Sequence, residues 1–301
     1  MGAAAVNAIV APWFVRRRPA ALSSAYNGSS IGGVVFSPLW VAAIGLLGFP
    51  WAAVVIGLVM IVSIWILADL YFSKRPELMG LSVDGEAAAA GSATPRFGQA
   101  LPSKQLCKDW RFITLAAGMA LGLFAQIGLL AHLFSLLVPA LGAQLAGFAA
   151  GAATAAALVG RTLVGWLMPV GADRRLFGCG NYFVQILGSL AFLFAAGDNV
   201  PLLLLGVVLF GAGIGNSTSL PPLIAQAEFV KDDVSRVVPL IVAIGQATYA
   251  FAPAAFGFIR ELAPGWGSTS AGAAPWMFIA AALIQASALI AFLVGGRNQK
   301  Q

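Results

Sequence analysis

The chain has 301 residues, 60% of them hydrophobic and 9% charged, with a mean hydropathy of +0.90. Soluble domains carry roughly a quarter charged residues, and a soluble fold of this length cannot hide so much apolar surface. The net charge of +6 would suit a nucleic-acid partner, but the basic residues sit in short stretches between apolar runs, where membrane topology explains them.

Gly2 to Trp13 is apolar but too short at 1.5 Å per residue to span roughly 30 Å of hydrocarbon. It reads as the last turns of a crossing that begins outside the chain. Arg16, Arg17 and Arg18 then stand before fifty residues, Pro19 to Ala68, without a charge. A basic cluster beside a long apolar run marks a membrane helix entering from the cytoplasmic side. Pro19 to about Leu46 is the first complete span, and Gly28, Gly32, Gly33 and Pro38 give it a smooth edge for close helix packing. Pro50 opens a second span that ends at Lys74 and Arg75. Ser73 to Lys108 is polar and reads as a flexible cytoplasmic linker.

Asp109 caps the next span, which runs to about Val138, before Pro139. Leu141–Leu167 follows, then a turn at Asp173, Arg174 and Arg175, then Leu176–Ala196. Pro201–Glu228 is expected to bend at Pro221 and Pro222. After a charged loop at Lys231–Arg236, Val237–Ile259 crosses with prolines at Pro239 and Pro253, and Pro275 to about Val294 crosses last. The expectation is an all-α polytopic membrane protein with eight complete transmembrane helices plus a partial one. Residues 1–72 form an incomplete N-terminal bundle, 73–108 a linker, 109–296 a six-helix bundle and 297–301 a cytoplasmic tail. A β-barrel would show short alternating segments instead.

Placing Arg16–Arg18 in the cytoplasm puts there every one of the seventeen basic residues except Arg260. The C-terminus is then cytoplasmic and the outer loops are short, which excludes an extracellular binding domain on this chain. The expected location is the cytoplasmic (inner) membrane.

An internal echo supports two related halves. Phe14-Val15 leads to Pro38 with the spacing by which Phe229-Val230 leads to Pro253, and Ile9 and Ile224 fall in the same register. Each Phe-Val pair ends one apolar span and opens the next, so the topology agrees with the repeat.

These features resemble the major facilitator superfamily of secondary transporters. Gly28 to Pro38 is similar to that family's glycine-and-proline motif on its fifth helix. Gly160-Arg161-Thr-Leu-Val-Gly165 followed by Asp173-Arg174-Arg175 is similar to the second-half copy of its cytoplasmic signature loop, although Met168 and Pro169 stand where the family usually has Asp-Arg. Pro76-Glu77-Leu78-Met79-Gly80 with Asp84-Gly85-Glu86 is similar to the loop after helix six in the branch that carries oxalate, formate and other monocarboxylates. The resemblance implies a two-bundle fold, of which this chain would hold helices four to twelve, and alternating access to a central site.

Within that frame Arg161, Asp173, Arg174 and Arg175 are candidates for a cytoplasmic gate closed by an ion pair. The alternative is that they are ordinary positive-inside residues. Polar groups inside apolar spans are the substrate-site candidates, because lipid penalises them. His132 is the sharpest: as the only histidine it could bind an anion or carry a proton, or simply bond a neighbouring helix. Gln246 and Tyr249 share a helix face and, with Gln126, are the expected cavity lining. Pro253 joins Gly28, Gly32, Gly33 and Pro38 as a helix-packing position.

Gly211-Ala-Gly213-Ile-Gly215 follows no strand, so it reads as close packing and not as a nucleotide loop, and Gly118/Gly122 and Gly147/Gly151 read the same way. Cys107 and Cys179 have no paired spacing, so no metal site and no cofactor are expected. The expected partners are a small-molecule substrate, membrane lipid and a coupling proton, with no nucleic acid. Three functions stay open: a secondary transporter of a small organic solute such as a carboxylate, a transport-inactive fragment, and a membrane enzyme. One histidine and two isolated cysteines argue against the enzyme.

Overall fold

The computed structural model describes residues 3–85, 102–169, 171–262 and 274–297. The chain divides into two compact units, Met1–Ala93 and Thr94–Gln301.

Unit 1 is built on α1 (Ala3–Val10) and α2 (Arg18–Leu67), followed by a π-turn at Ala68–Phe72 and single 3-10 turns at Pro76–Met79 and Val83–Gly85. Proline in the first turn of α2 costs no hydrogen bond, because that N–H would have no partner in the helix. Fifty helical residues would reach about 75 Å, more than twice a hydrocarbon layer of about 30 Å. The helix breaks at Gly48, with φ 73° and ψ 160°, a conformation open essentially only to glycine. One glycine thus takes the place of the short loop expected between the Pro19–Leu46 span and the span opened by Pro50. α1 is tied to α2 by the buried Asn7, whose Nδ2 donates to the Tyr26 hydroxyl at 2.8 Å.

A Cβ added to Gly28 or Gly32 would meet nothing within 4 Å, so the glycine edge of α2 has no helix against it among the described residues of unit 1. The side-chain surroundings of Gly33 and Pro38, and Glu86 of the loop motif, lie outside the described residues.

Unit 2 holds α3 (Ser103–Leu106), α4 (Trp110–Leu167), α5 (Arg174–Ala195), α6 (Val200–Ile214), α7 (Asn216–Glu228), α8 (Lys231–Tyr249), α9 (Ala252–Leu262) and α10 (Pro275–Arg297). α4 repeats the device of α2: Gly142, with φ 72° and ψ 164°, divides it into two arms. α4 packs on α6, α7, α8, α9 and α10, while α5 lies against α6, α7 and α10. Rings fill the gaps that glycines leave. The Phe292, Tyr182 and Phe256 rings occupy the space a Cβ would need at Gly118, Gly122 and Gly128. Phe192 anchors the apolar centre, stacked on Phe278 at 5.5 Å and edge-on to Phe210 at 6.3 Å.

The Gly211–Gly215 stretch crosses the second arm of α4 at backbone contact. Gly211 faces the Ala153 carbonyl, Gly215 faces Ala157, and Gly160 faces Ala212 in return. Gly147 and Gly151 differ from expectation: nothing lies within 4 Å of a Cβ at either one. The expected bend at Pro221 and Pro222 also moves. Both prolines lie inside α7, and the interruption falls upstream, at Gly215. Farther on, Pro253 acts as anticipated by its chemistry. Its ring displaces the carbonyl four residues back, Tyr249, where α8 ends.

Among the described residues, six segments are long and apolar enough to cross a membrane: Ala42–Phe72, Trp110–Leu167, Arg174–Ala195, Val200–Glu228, Asp232–Glu261 and Pro275–Gly296.

Candidate functional site

One end of unit 2 gathers its charges. Asp109 caps α4 by accepting from the Arg111 N–H at 2.8 Å, and Asp173 caps α5 by accepting from the Arg175 N–H at 3.0 Å. Between these caps lies a buried, bidentate ion pair. Arg175 donates from Nε and Nη2 to the two Glu228 carboxylate oxygens at 2.5 and 2.8 Å, with the residues 2% and 5% exposed. Its remaining donors reach Thr114 Oγ1 and the Arg111 carbonyl, both at 3.0 Å. Arg111 in turn donates to the Glu228 carbonyl at 3.1 Å and lies over the Phe229 ring at 5.1 Å. Gly295 lets α10 pass beside the guanidinium, which a Cβ there would strike. The start of α4, the start of α5, the end of α7 and the end of α10 thus meet on one arginine.

The four gate candidates do not form one cluster of ion pairs. Arg161 is buried and its Nε donates to the Gly215 carbonyl at 2.8 Å, at the α6–α7 break. Arg174 donates to the Leu223 carbonyl in α7. Asp173 serves as a cap, and Arg175 takes Glu228. Sequence spacing within the Gly160–Arg175 motif could not show this, because Glu228 is 53 residues from Arg175. The available signal was Glu228 itself, an acid closing an otherwise apolar span.

The substrate-site candidates differ in exposure. Gln126 is buried inside unit 2, and its Oε1 has no partner among the described residues. A buried polar chain runs through the same unit: Gln185 Nε2 donates to Ser217 Oγ at 3.1 Å, and Ser189 Oγ donates to Gln285 Oε1 at 3.0 Å. His132 Nε2 lies 3.0 Å from the Pro253 carbonyl. A carbonyl only accepts, so the hydrogen is on Nε2, and the bond joins α4 to α9. Pro253 therefore does more than pack. Gln246 is exposed and Tyr249 half-exposed on α8.

Long apolar helices, two of them broken at a glycine, and charge collected at one end of a helical unit define a multi-pass integral membrane protein. Its sequence goes further: the chain belongs to the major facilitator superfamily, whose sequence profile matches residues 1–253. It is 29% identical over 251 residues to "MFS-type transporter 1" of Ophiocordyceps sp. (strain BCC 1869), an alignment covering 77% of this chain and 48% of that protein. The chain thus spans about half the length of the curated relative it matches.

Proposed function

We propose that this chain works in secondary transport of a small organic solute, a carboxylate in the first instance, by alternating exposure of one site to the two sides of the membrane. The family match over residues 1–253 carries this reading, because it runs through both units. The carboxylate rests on the Pro76–Gly80 loop and its likeness to the monocarboxylate branch.

Eight complete crossings plus a remnant follow if each glycine-broken helix counts twice. Trp110–Leu167 would reach about 87 Å, far beyond one hydrocarbon thickness, and Gly142 divides it near its middle. Gly48 does the same for α2.

Of the cavity candidates, Gln246 and Tyr249 are open on the surface of unit 2 and would face solute, whereas Gln126 is enclosed. Arg161 is the gate residue of this reading, since it grips the carbonyl at the α6–α7 break and its release would free that joint. The coupling proton would fall to His132, whose Nε2–H is held by Pro253.

Uptake of labelled oxalate, formate and larger monocarboxylates by proteoliposomes tests the proposal. Saturable uptake that Gln246→Ala weakens is the expected result, and no flux of any carboxylate overturns it. Arg161→Ala should shift the balance of inward- and outward-facing forms. Unchanged transport and unchanged balance would remove the gate.

A further inference from the structure

The second arm of α4, the first half of α5 and the α6–α7 junction line an open crevice of about 480 Å³ within unit 2. That volume lies in the range of small-molecule sites. Leu163 and Val164 of α4 and Phe177 and Val184 of α5 supply apolar wall, and no ionisable side chain lines it. The two polar side chains in the wall are Asn181 and Asn216, 7% and 3% exposed. Neither carboxamide forms a hydrogen bond among the described residues, and Asn216 Oδ1 is enclosed without a donor.

That combination is costly unless something fills it. An enclosed carboxamide without a partner loses its water and gains nothing in return. Gln185, Ser189, Ser217 and Gln285 avoid this by bonding one another across helices, whereas Gln126 Oε1, elsewhere in the unit, shares the unpartnered state. At this pocket two buried carboxamides line the same open space. Each offers a donor and an acceptor, so the pair suits a hydroxyl or an amide, and the absence of a countercharge disfavours an ion. The rim residues Leu163 and Leu176 are 52% and 57% exposed, and in a membrane-spanning segment such surface faces hydrocarbon.

We infer that this pocket binds a neutral amphipathic molecule drawn from the lipid phase, with an apolar body in the pocket and one hydroxyl or carboxamide paired to Asn181 and Asn216. The site lies wholly within unit 2 and stands whether or not the chain transports carboxylates. Asn216 is the first residue of α7, directly after the Gly215 carbonyl that Arg161 holds, so an occupant would touch the α6–α7 joint.

The test uses the full chain in phosphatidylcholine nanodiscs and two diazirine photoprobes of equal length, one derived from 1-dodecanol and one from dodecane. The alcohol probe should label peptides containing Leu163 or Phe177 about fivefold more than the alkane probe, the preference one net hydrogen bond gives. Excess unlabelled 1-dodecanol should compete. Asn181→Leu should bring the ratio close to one while alkane labelling persists, and Leu176→Trp, at the exposed rim, should reduce labelling by both probes. Equal labelling of the wild-type chain by the two probes makes the pocket a plain lipid crevice and overturns the inference. So does labelling confined to other helices, or a preference that Asn181→Leu leaves unchanged. Should Asn181→Leu fail to insert, the probe ratio and the Leu176→Trp block decide alone.

Discussion

Arg175 and Glu228 show what a charge in this protein must have in order to stay buried. Each is enclosed, each is bidentate to the other, and Thr114 and the Arg111 carbonyl absorb the remaining donors. Removing one partner strands the other. Glu228→Ala should therefore cost about 3–5 kcal/mol, read as a lowered unfolding midpoint in detergent. An Arg175→Leu/Glu228→Leu double variant should recover most of that loss, because an apolar pair of similar volume carries no desolvation penalty. A double variant as unstable as Glu228→Ala would show that geometry, and not stranded charge, sets the cost.

Asp84 is the counterpart in unit 1. Its carboxylate accepts from the N–H groups of Val15, Arg16 and Arg17 at 2.8–3.3 Å, just ahead of α2. The residue sits at φ 63°, a left-handed conformation that a non-glycine side chain adopts only when held there. Asp84→Ala should speed amide exchange at residues 15–17 while leaving exchange in the middle of α4 unchanged. Asp109 makes a pH-dependent contribution. Burial raises its carboxyl, but hydrogen bonds from the Arg111 side chain and backbone outweigh that and hold it below the usual range. A carboxyl depressed in the folded state stabilises above its unfolded pKa, and that support fades as pH falls through the folded value. The group is partly exposed, so solvent screening keeps this contribution small.

At the scale of elements, glycine decides where helices turn and where they touch. Gly48 and Gly142 share nearly the same φ and ψ at the breaks in α2 and α4, although they lie in different units. Gly142→Val should cost on the order of 1–3 kcal/mol through backbone strain alone, since nothing crowds its Cβ. Gly160→Val acts differently, because its Cβ would strike the Ala212 backbone and push α6 off α4. Gly151→Ala, with open space around it, should leave the unfolding midpoint unchanged or slightly raised. Equal losses at all three positions would contradict this account.

Much of this pattern was legible in the sequence. The apolar runs, the capping Asp109 and the close-packing Gly211–Gly215 follow from local composition and spacing. Three features were not legible. The partner of Arg175 comes from sequence-distant packing, as does the burial of Gln126 while Gln246 stays exposed. The α6–α7 break sits at Gly215, whose carbonyl accepts from Arg161, and the prolines after it lie inside α7. Local propensity names the residues that can interrupt a helix, but not which of them does.

The whole molecule has a direction that its charges set. In the proposed topology the basic stretches from Arg16 to Arg297 lie on one side of the membrane, and the charged end of unit 2 shares that side. The two cysteines allow this to be tested without engineering the chain. Cys107 is exposed and directly precedes the α4 start, next to Lys108 and Asp109, whereas Cys179 is buried in α5. A membrane-impermeant maleimide should therefore leave the chain unlabelled in intact cells and label it once in inverted vesicles. Cys107→Ser should abolish that signal. Cys179 should react only after detergent unfolding, because only the exposed thiol can reach a reagent confined to water. Labelling of Cys107 from outside intact cells would reverse the topology. It would also move the Arg175–Glu228 clamp to the outer face, where it could no longer serve a cytoplasmic gate.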